Sequence, residues 1–179
     1  LNRLLIALLV LGGCATTGTP KLTEAAREMG KYEKAMEELL SDNGHEASNL
    51  FANLVESSSN PEVANLAMLR LGDSLFSDSR YREAIEVYRE YMDQYESSKN
   101  IPHALYMTGR CHLELAPSDI WILPPAFERE QTSFNNALDI FRQLILTYPD
   151  SFPTLKGRAL YVSTSEKSCE YKLYVADYY

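Results

Sequence analysis

Residues 68–88 decide the fold. They begin Met68-Leu69-Arg70-Leu71-Gly72-Asp73-Ser74-Leu75-Phe76, turn at Ser77-Asp78-Ser79, and resume as Arg80-Tyr81-Arg82-Glu83-Ala84-Ile85-Glu86-Val87-Tyr88. Met68, Leu71 and Leu75 keep helical spacing before the turn. Ala84, Ile85, Tyr88, Tyr91, Met92 and Tyr95 keep it after the turn. The stretch therefore reads as two helices joined by a short connection. Gly72 and Ala84 are small enough to let the two helices touch, and Tyr88 fills the space beside them. The same arrangement recurs outward. Ala47 and Phe51 stand 37 residues before Ala84 and Tyr88; Ala137 and Phe141 stand 53 after them; Gly109 stands 37 after Gly72. Recurrence at such periods is the signature of stacked helical repeats.

The order of a large apolar residue, Leu71-Gly72, Leu75, then Ala84 and Tyr88 resembles the tetratricopeptide (TPR) pattern, with Pro149 eight residues after Phe141 in the place of a closing proline. That resemblance implies an all-α, tetratricopeptide-like helical repeat solenoid. Helix starts are punctuated at Asn60-Pro61-Glu62, where a capping side chain precedes Pro and an acid, and again at Asn100 and Pro102. Tyr148-Pro149-Asp150 ends a helix. The expected repeats span about 25–60, 61–99 and 100–150, with an incomplete one at 151–179. A loop at 116–130, holding Pro117, Trp121, Pro124 and Pro125, is inserted in the third repeat. Lys156 to Lys167 is richer in Ser and Thr than a firm helix prefers.

The balance of 17 Lys+Arg against 25 Asp+Glu gives a net charge of -8, which argues against a nucleic-acid partner because phosphate affinity needs a basic surface. A hydrophobic content of 45% rules out global disorder, and three cysteines are too few for a disulfide-built scaffold.

The N-terminus carries an address. Leu4 to Leu11 is an apolar run too short to span a bilayer, which needs ~20 residues, but of the length of a secretory h-region. Leu11-Gly12-Gly13-Cys14 resembles the lipobox of bacterial lipoproteins. The resemblance implies a signal peptide at 1–13, acylation of Cys14, and a lipidated tether over 14–24. Ala15, where inner-membrane lipoproteins usually carry Asp, favours the outer membrane by the same resemblance.

Lipobox, repeats and inserted loop together resemble the BamD family, lipoproteins of the outer-membrane β-barrel assembly machinery. The best local match runs from Ala137 through Tyr148-Pro149-Asp150-Ser151 to Cys169-Glu170-Tyr171-Lys172-Leu173-Tyr174-Val175-Ala176-Asp177-Tyr178-Tyr179. The resemblance implies a binding scaffold rather than an enzyme, without a cofactor, anchored by lipid on the periplasmic face of the outer membrane. Its implied partners are a BamA-like barrel assembly protein, other assembly subunits and unfolded outer-membrane proteins. Family members continue beyond the Tyr178-Tyr179 pair, so the sequence reads as ending inside a helix. The alternative within binding proteins is another periplasmic TPR lipoprotein, for envelope division or polysaccharide export.

Gly72-Asp73-Ser74-Leu75 also matches an esterase nucleophile motif, with Ser74 as nucleophile. That chemistry needs a strand before the Ser and a downstream Asp-x-x-His pair, and the sequence has neither. His45, His103 and His112 lack the spacing that grips a metal on one helix face, so no metal site is expected. With Cys14 acylated, Cys111 and Cys169 remain; an oxidising periplasm permits a disulfide between them, and two separate thiols are the favoured reading because nothing in the sequence fixes their distance.

TPR arrays bind extended peptides along the concave face of their first helices. Counting from Gly72 and Gly109, that face falls near Tyr32 and Met36, then Leu69, Asp73 and Phe76, then Tyr106 and Arg110. Aromatic and Met side chains beside a few charges suit varied apolar sequences. Trp121, with Ile120, Ile122 and Leu123, forms an apolar cluster in the loop that either makes a contact or tucks against its own repeat.

Overall fold

The computed structural model describes residues 20–116 and 131–178. The leader 1–13, Cys14 and the loop residues 117–130 with Trp121 lie outside the described residues. Seven helices follow one another among the described residues: α1 (Pro20–Leu40), α2 (Gly44–Ser57), α3 (Pro61–Ser77), α4 (Tyr81–Gln94), α5 (Ile101–Glu114), α6 (Thr132–Thr147) and α7 (Phe152–Tyr178). Each packs on its neighbours in sequence. In addition α1 touches α3, α3 touches α5 and α5 touches α7, whereas no two even-numbered helices meet among the described residues. The odd helices therefore line the inside of a curved helical repeat solenoid and the even helices its outside.

Residue size sets the pairing. An ideal Cβ on Gly72 would lie 2.5 Å from the Tyr88 ring, and one on Gly109 would lie 2.6 Å from the Phe141 ring. Both rings are fully buried. The glycines thus let α3 close on α4, and α5 on α6, over an aromatic spacer. In the first pair Ala35, 37 residues before Gly72, is fully buried in one cluster with Phe51. Small residues serve the contacts between pairs as well: Gly157 of α7 seats against Leu144 of α6, where a Cβ would come within 2.9 Å.

The turns repeat too. Asp42 and Ser79, 37 residues apart, both adopt φ 60°. At the first turn Asn43 N–H donates to Glu38 C=O; at the second Arg80 N–H donates to Leu75 C=O. Each closes its helix with the same left-handed cap. Gly44 fits where the first turn meets the end of α3, with the Asp78 backbone N only 2.7 Å from an added Cβ.

Several local expectations are refined. Asn60 caps α3, its side chain accepting from the Glu62 N–H at 3.0 Å. Asn100 does not use its side chain in this way; the Ser98 hydroxyl accepts from the Asn100 N–H instead. Pro102 stands one residue inside α5, so the register differs from that at Pro61. α1 already begins at Pro20, inside the 14–24 stretch expected as tether, because a proline suits a first helical position. α1 is held down by Glu28, which accepts from the Ser59 N–H and the Ser58 and Ser59 hydroxyls at the α2–α3 turn. The Ser- and Thr-rich part of α7 is continuous helix. Ser163 and Ser165 donate back to the carbonyls of Leu160 and Val162, while Thr164 and Ser168 are buried. α7 carries apolar side chains on both sides, leaving Phe152, Leu155, Val162 and Leu173 exposed.

Candidate functional site

The concave face is built by α1, α3 and α5. A step of 37 residues carries Tyr32 to Leu69 to Tyr106, and Met36 to Asp73 to Arg110, so corresponding side chains recur along it. Tyr32 is half-buried and meets Phe51 edge-on at 5.5 Å. Met36 is half-buried against the first cluster. Phe76 is half-buried, edge-on to Tyr81 at 5.3 Å, with the Arg110 guanidinium carbon 4.4 Å above its ring. Tyr106 leans on Phe141, with ring centres 6.4 Å apart. These five keep part of their surface open to a ligand. Leu69 does not: at 2% exposure it belongs to the core, a correction to its expected place on the groove. Its side chain fills the seam between helices, which a one-dimensional count of helix positions does not separate from the groove.

Asp73 is also placed differently from a free groove acid. Its Oδ1 accepts from the Tyr88 hydroxyl at 2.7 Å and meets His103 Nε2 at 2.8 Å; its Oδ2 accepts from Arg70 Nη1 at 2.6 Å. Only 12% of the side chain is exposed. Burial pushes its pKa up, but the bonds from His103, Tyr88 and Arg70 outweigh burial, and the carboxyl is held below its ordinary range. Burial likewise pulls Arg70 down, while Asp73 and the Tyr32 hydroxyl outweigh that pull and raise it. Burial, then the neighbouring Asp73 charge, drives the Tyr88 phenol well above its usual value. The buried Arg70 Nε has no hydrogen-bond partner.

Arg70, Tyr88 and His103 were not among the expected site residues. Arg70 and Asp73 share a helix face three positions apart, which the sequence showed. His103 stands 30 residues from Asp73, and only the superhelical stacking of α5 on α3 brings the two together.

The esterase motif dissolves in this setting. Ser74 is fully buried in the middle of α3, and its hydroxyl donates to the Arg70 carbonyl of its own helix at 2.8 Å. His45 lies exposed, 3.5 Å from Asp78, and burial lowers the His112 pKa. Among the described residues no group of His, Cys, Asp and Glu is arranged to hold a metal. Cys111 and Cys169 are separate thiols. Burial pushes Cys111 up to about 12, which keeps it a protonated, unreactive thiol. No helix among the described residues is long and apolar enough to cross a membrane.

Comparison with known proteins adds one match. The family model YfiO, described as outer membrane lipoprotein, aligns with residues 24–179, which take in α1 from Glu24 onward and the helices that follow it. No curated protein matches the chain.

Proposed function

Because this chain belongs to the YfiO family of outer membrane lipoproteins, we propose that it is a BamD-like scaffold of the machinery that assembles outer-membrane β-barrels. In this reading it works by binding and not by catalysis. Acylated Cys14 holds it to the periplasmic face of the outer membrane, several acyl chains on one residue giving a firmer hold than the marginal one of a single chain. Unfolded barrel polypeptides lie along the concave groove, while a BamA-like subunit and other assembly partners dock on the same scaffold.

The observation that carries the reading is the row of half-open side chains Tyr32, Met36, Phe76, Tyr106 and Arg110 on the inner helices. Flat aromatic surfaces and a thioether accept apolar residues of many shapes at low entropic cost. Arg110, stacked on Phe76, adds a donor for main-chain carbonyls without losing its charge. Phe76→Ala and Tyr106→Ala are expected to weaken capture of a urea-diluted barrel polypeptide about tenfold each, as truncation of an aromatic anchor does. Unchanged capture by both variants would remove the groove from the reading.

A further inference from the structure

We propose that Asp73 is a positioning residue, the centre of a clasp that fixes the third helix pair (α5–α6) against the second (α3–α4) and so sets the shape of the groove. The part concerning ligand binding rests on the groove reading above; the part concerning geometry does not.

One carboxylate gathers bonds from three helices: Arg70 from α3, Tyr88 from α4 and His103 from α5. The helical repeat does not call for this. At steps of 37 residues Asp73 corresponds to Met36 and Arg110, Arg70 to Glu33 and Met107, and His103 to Leu66. Among the described residues, no corresponding carboxylate gathers donors from three helices at Met36 or Arg110. Burying a carboxylate and a guanidinium carries a desolvation cost that apolar residues of the same volume avoid, so the cluster is a poor device for stability alone. It is a good device for specifying one arrangement, because Arg70, Tyr88 and His103 all converge on one carboxylate.

Its location gives that arrangement a consequence. α3 and α5 meet over a short stretch only. His103 lies one turn before Tyr106 on α5, and Asp73 one turn before Phe76 on α3. A change in how α5 lies on α3 therefore changes the gap between Phe76 and the Tyr106–Arg110 pair, and with it the stacking of Arg110 on Phe76. The side chains that set the groove's spacing are then distinct from those that touch its ligand.

The test uses the lipidated full chain with Cys169→Ser, buried Cys111 being retained. Spin labels go at Glu90→Cys and Gln143→Cys, exposed equivalent positions on α4 and α6. His103→Leu and Asp73→Leu are expected to broaden and shift the inter-label distance distribution while helicity stays intact. His103→Gln, whose amide N–H₂ stands near the place of Nε2, is expected to restore the parent distribution. In capture of a urea-diluted barrel polypeptide, His103→Leu is expected to weaken affinity about tenfold, within the usual range of coupling between sites, and His103→Gln to restore it. Should Asp73→Leu fail to fold, the half-exposed His103 carries the test. An unchanged distance distribution in folded His103→Leu overturns the clasp, as does a loss that His103→Gln does not repair. If the parent chain captures no polypeptide, the groove reading fails, and the distances still decide the clasp.

Discussion

Replacing Gly72 and Gly30 by Ala, one at a time, sets the same substitution in opposite environments. On an exposed helix interior Gly→Ala stabilises by about 1 kcal/mol through propensity. At Gly30, on α1, an added Cβ meets nothing within 4 Å, so that gain stands alone. At Gly72 the Cβ would fall 2.5, 2.7 and 2.9 Å from three carbons of the Tyr88 ring. Ordinary carbon contacts are about 3.5–4.0 Å, so ring or helix must shift by roughly 1 Å. The ring is fully buried and its hydroxyl is tied to Asp73 at 2.7 Å, so it cannot swing aside without breaking a charge-assisted bond. Overpacking costs about 1–3 kcal/mol, and a broken hydrogen bond to a charged group about 1.5–3 kcal/mol. Against a propensity gain of about 1 kcal/mol, the two costs together leave a net expected loss for Gly72→Ala of about 1.5–5 kcal/mol. For a chain of this length that lowers the melting temperature by about 2–4 °C per kcal/mol. Urea and thermal unfolding followed by circular dichroism read both variants. A Gly72→Ala variant as stable as Gly30→Ala would refute the view that glycine at this position sets the approach of α3 and α4.

Other outcomes follow from single contacts. Asn60→Ala removes the side-chain acceptor of the Glu62 N–H and is expected to cost about 1 kcal/mol in urea unfolding; a neutral result would show that the Pro61 start needs no cap. Asp73 is held below its ordinary carboxyl value in the folded chain, so its contribution is full above that value and is lost as pH falls through the lowered one. Asp73→Asn is therefore expected to flatten the acid limb of stability against pH; parallel limbs in variant and parent would contradict that origin. Cys14→Ser is expected to release the chain from the membrane fraction into the soluble periplasm, and retention of the variant would contradict the anchor.

What the sequence made legible was packing by size. Gly72 with Tyr88, and Gly109 with Phe141, stand in the chain as small and large residues at related intervals, and these are the contacts that bring the helices of a pair together. The inserted loop lengthens one interval from 37 to 53 without disturbing the rule, because it enters between helices and not within one. Polar partnerships were less legible. Asp73 and His103 lie 30 residues apart on different helices, and nothing in either local sequence marks the other as its acceptor or donor. Leu69 shows the same limit for the groove. It occupies the position corresponding to Tyr32 and Tyr106, yet its shorter side chain stays in the seam, while the two tyrosines reach the half-exposed surface. Helical spacing names a face; side-chain length and the neighbouring helix decide which residues on that face meet solvent. α7 resisted a reading by hydrophobic pattern for another reason: its apolar residues occupy both sides, so no single stripe stands out.

The claim that the inner face is where polypeptide lies is tested most directly by photo-crosslinking with the lipidated chain. A benzophenone amino acid placed in turn at Tyr32, Phe76 and Tyr106 on the odd helices, and at Glu90 and Gln143 on the even ones, reports contact with a urea-diluted barrel polypeptide. The expected result is crosslinking at the three inner positions and none at the two outer ones. Equal crosslinking on both faces, or crosslinking confined to the outer one, would contradict the groove.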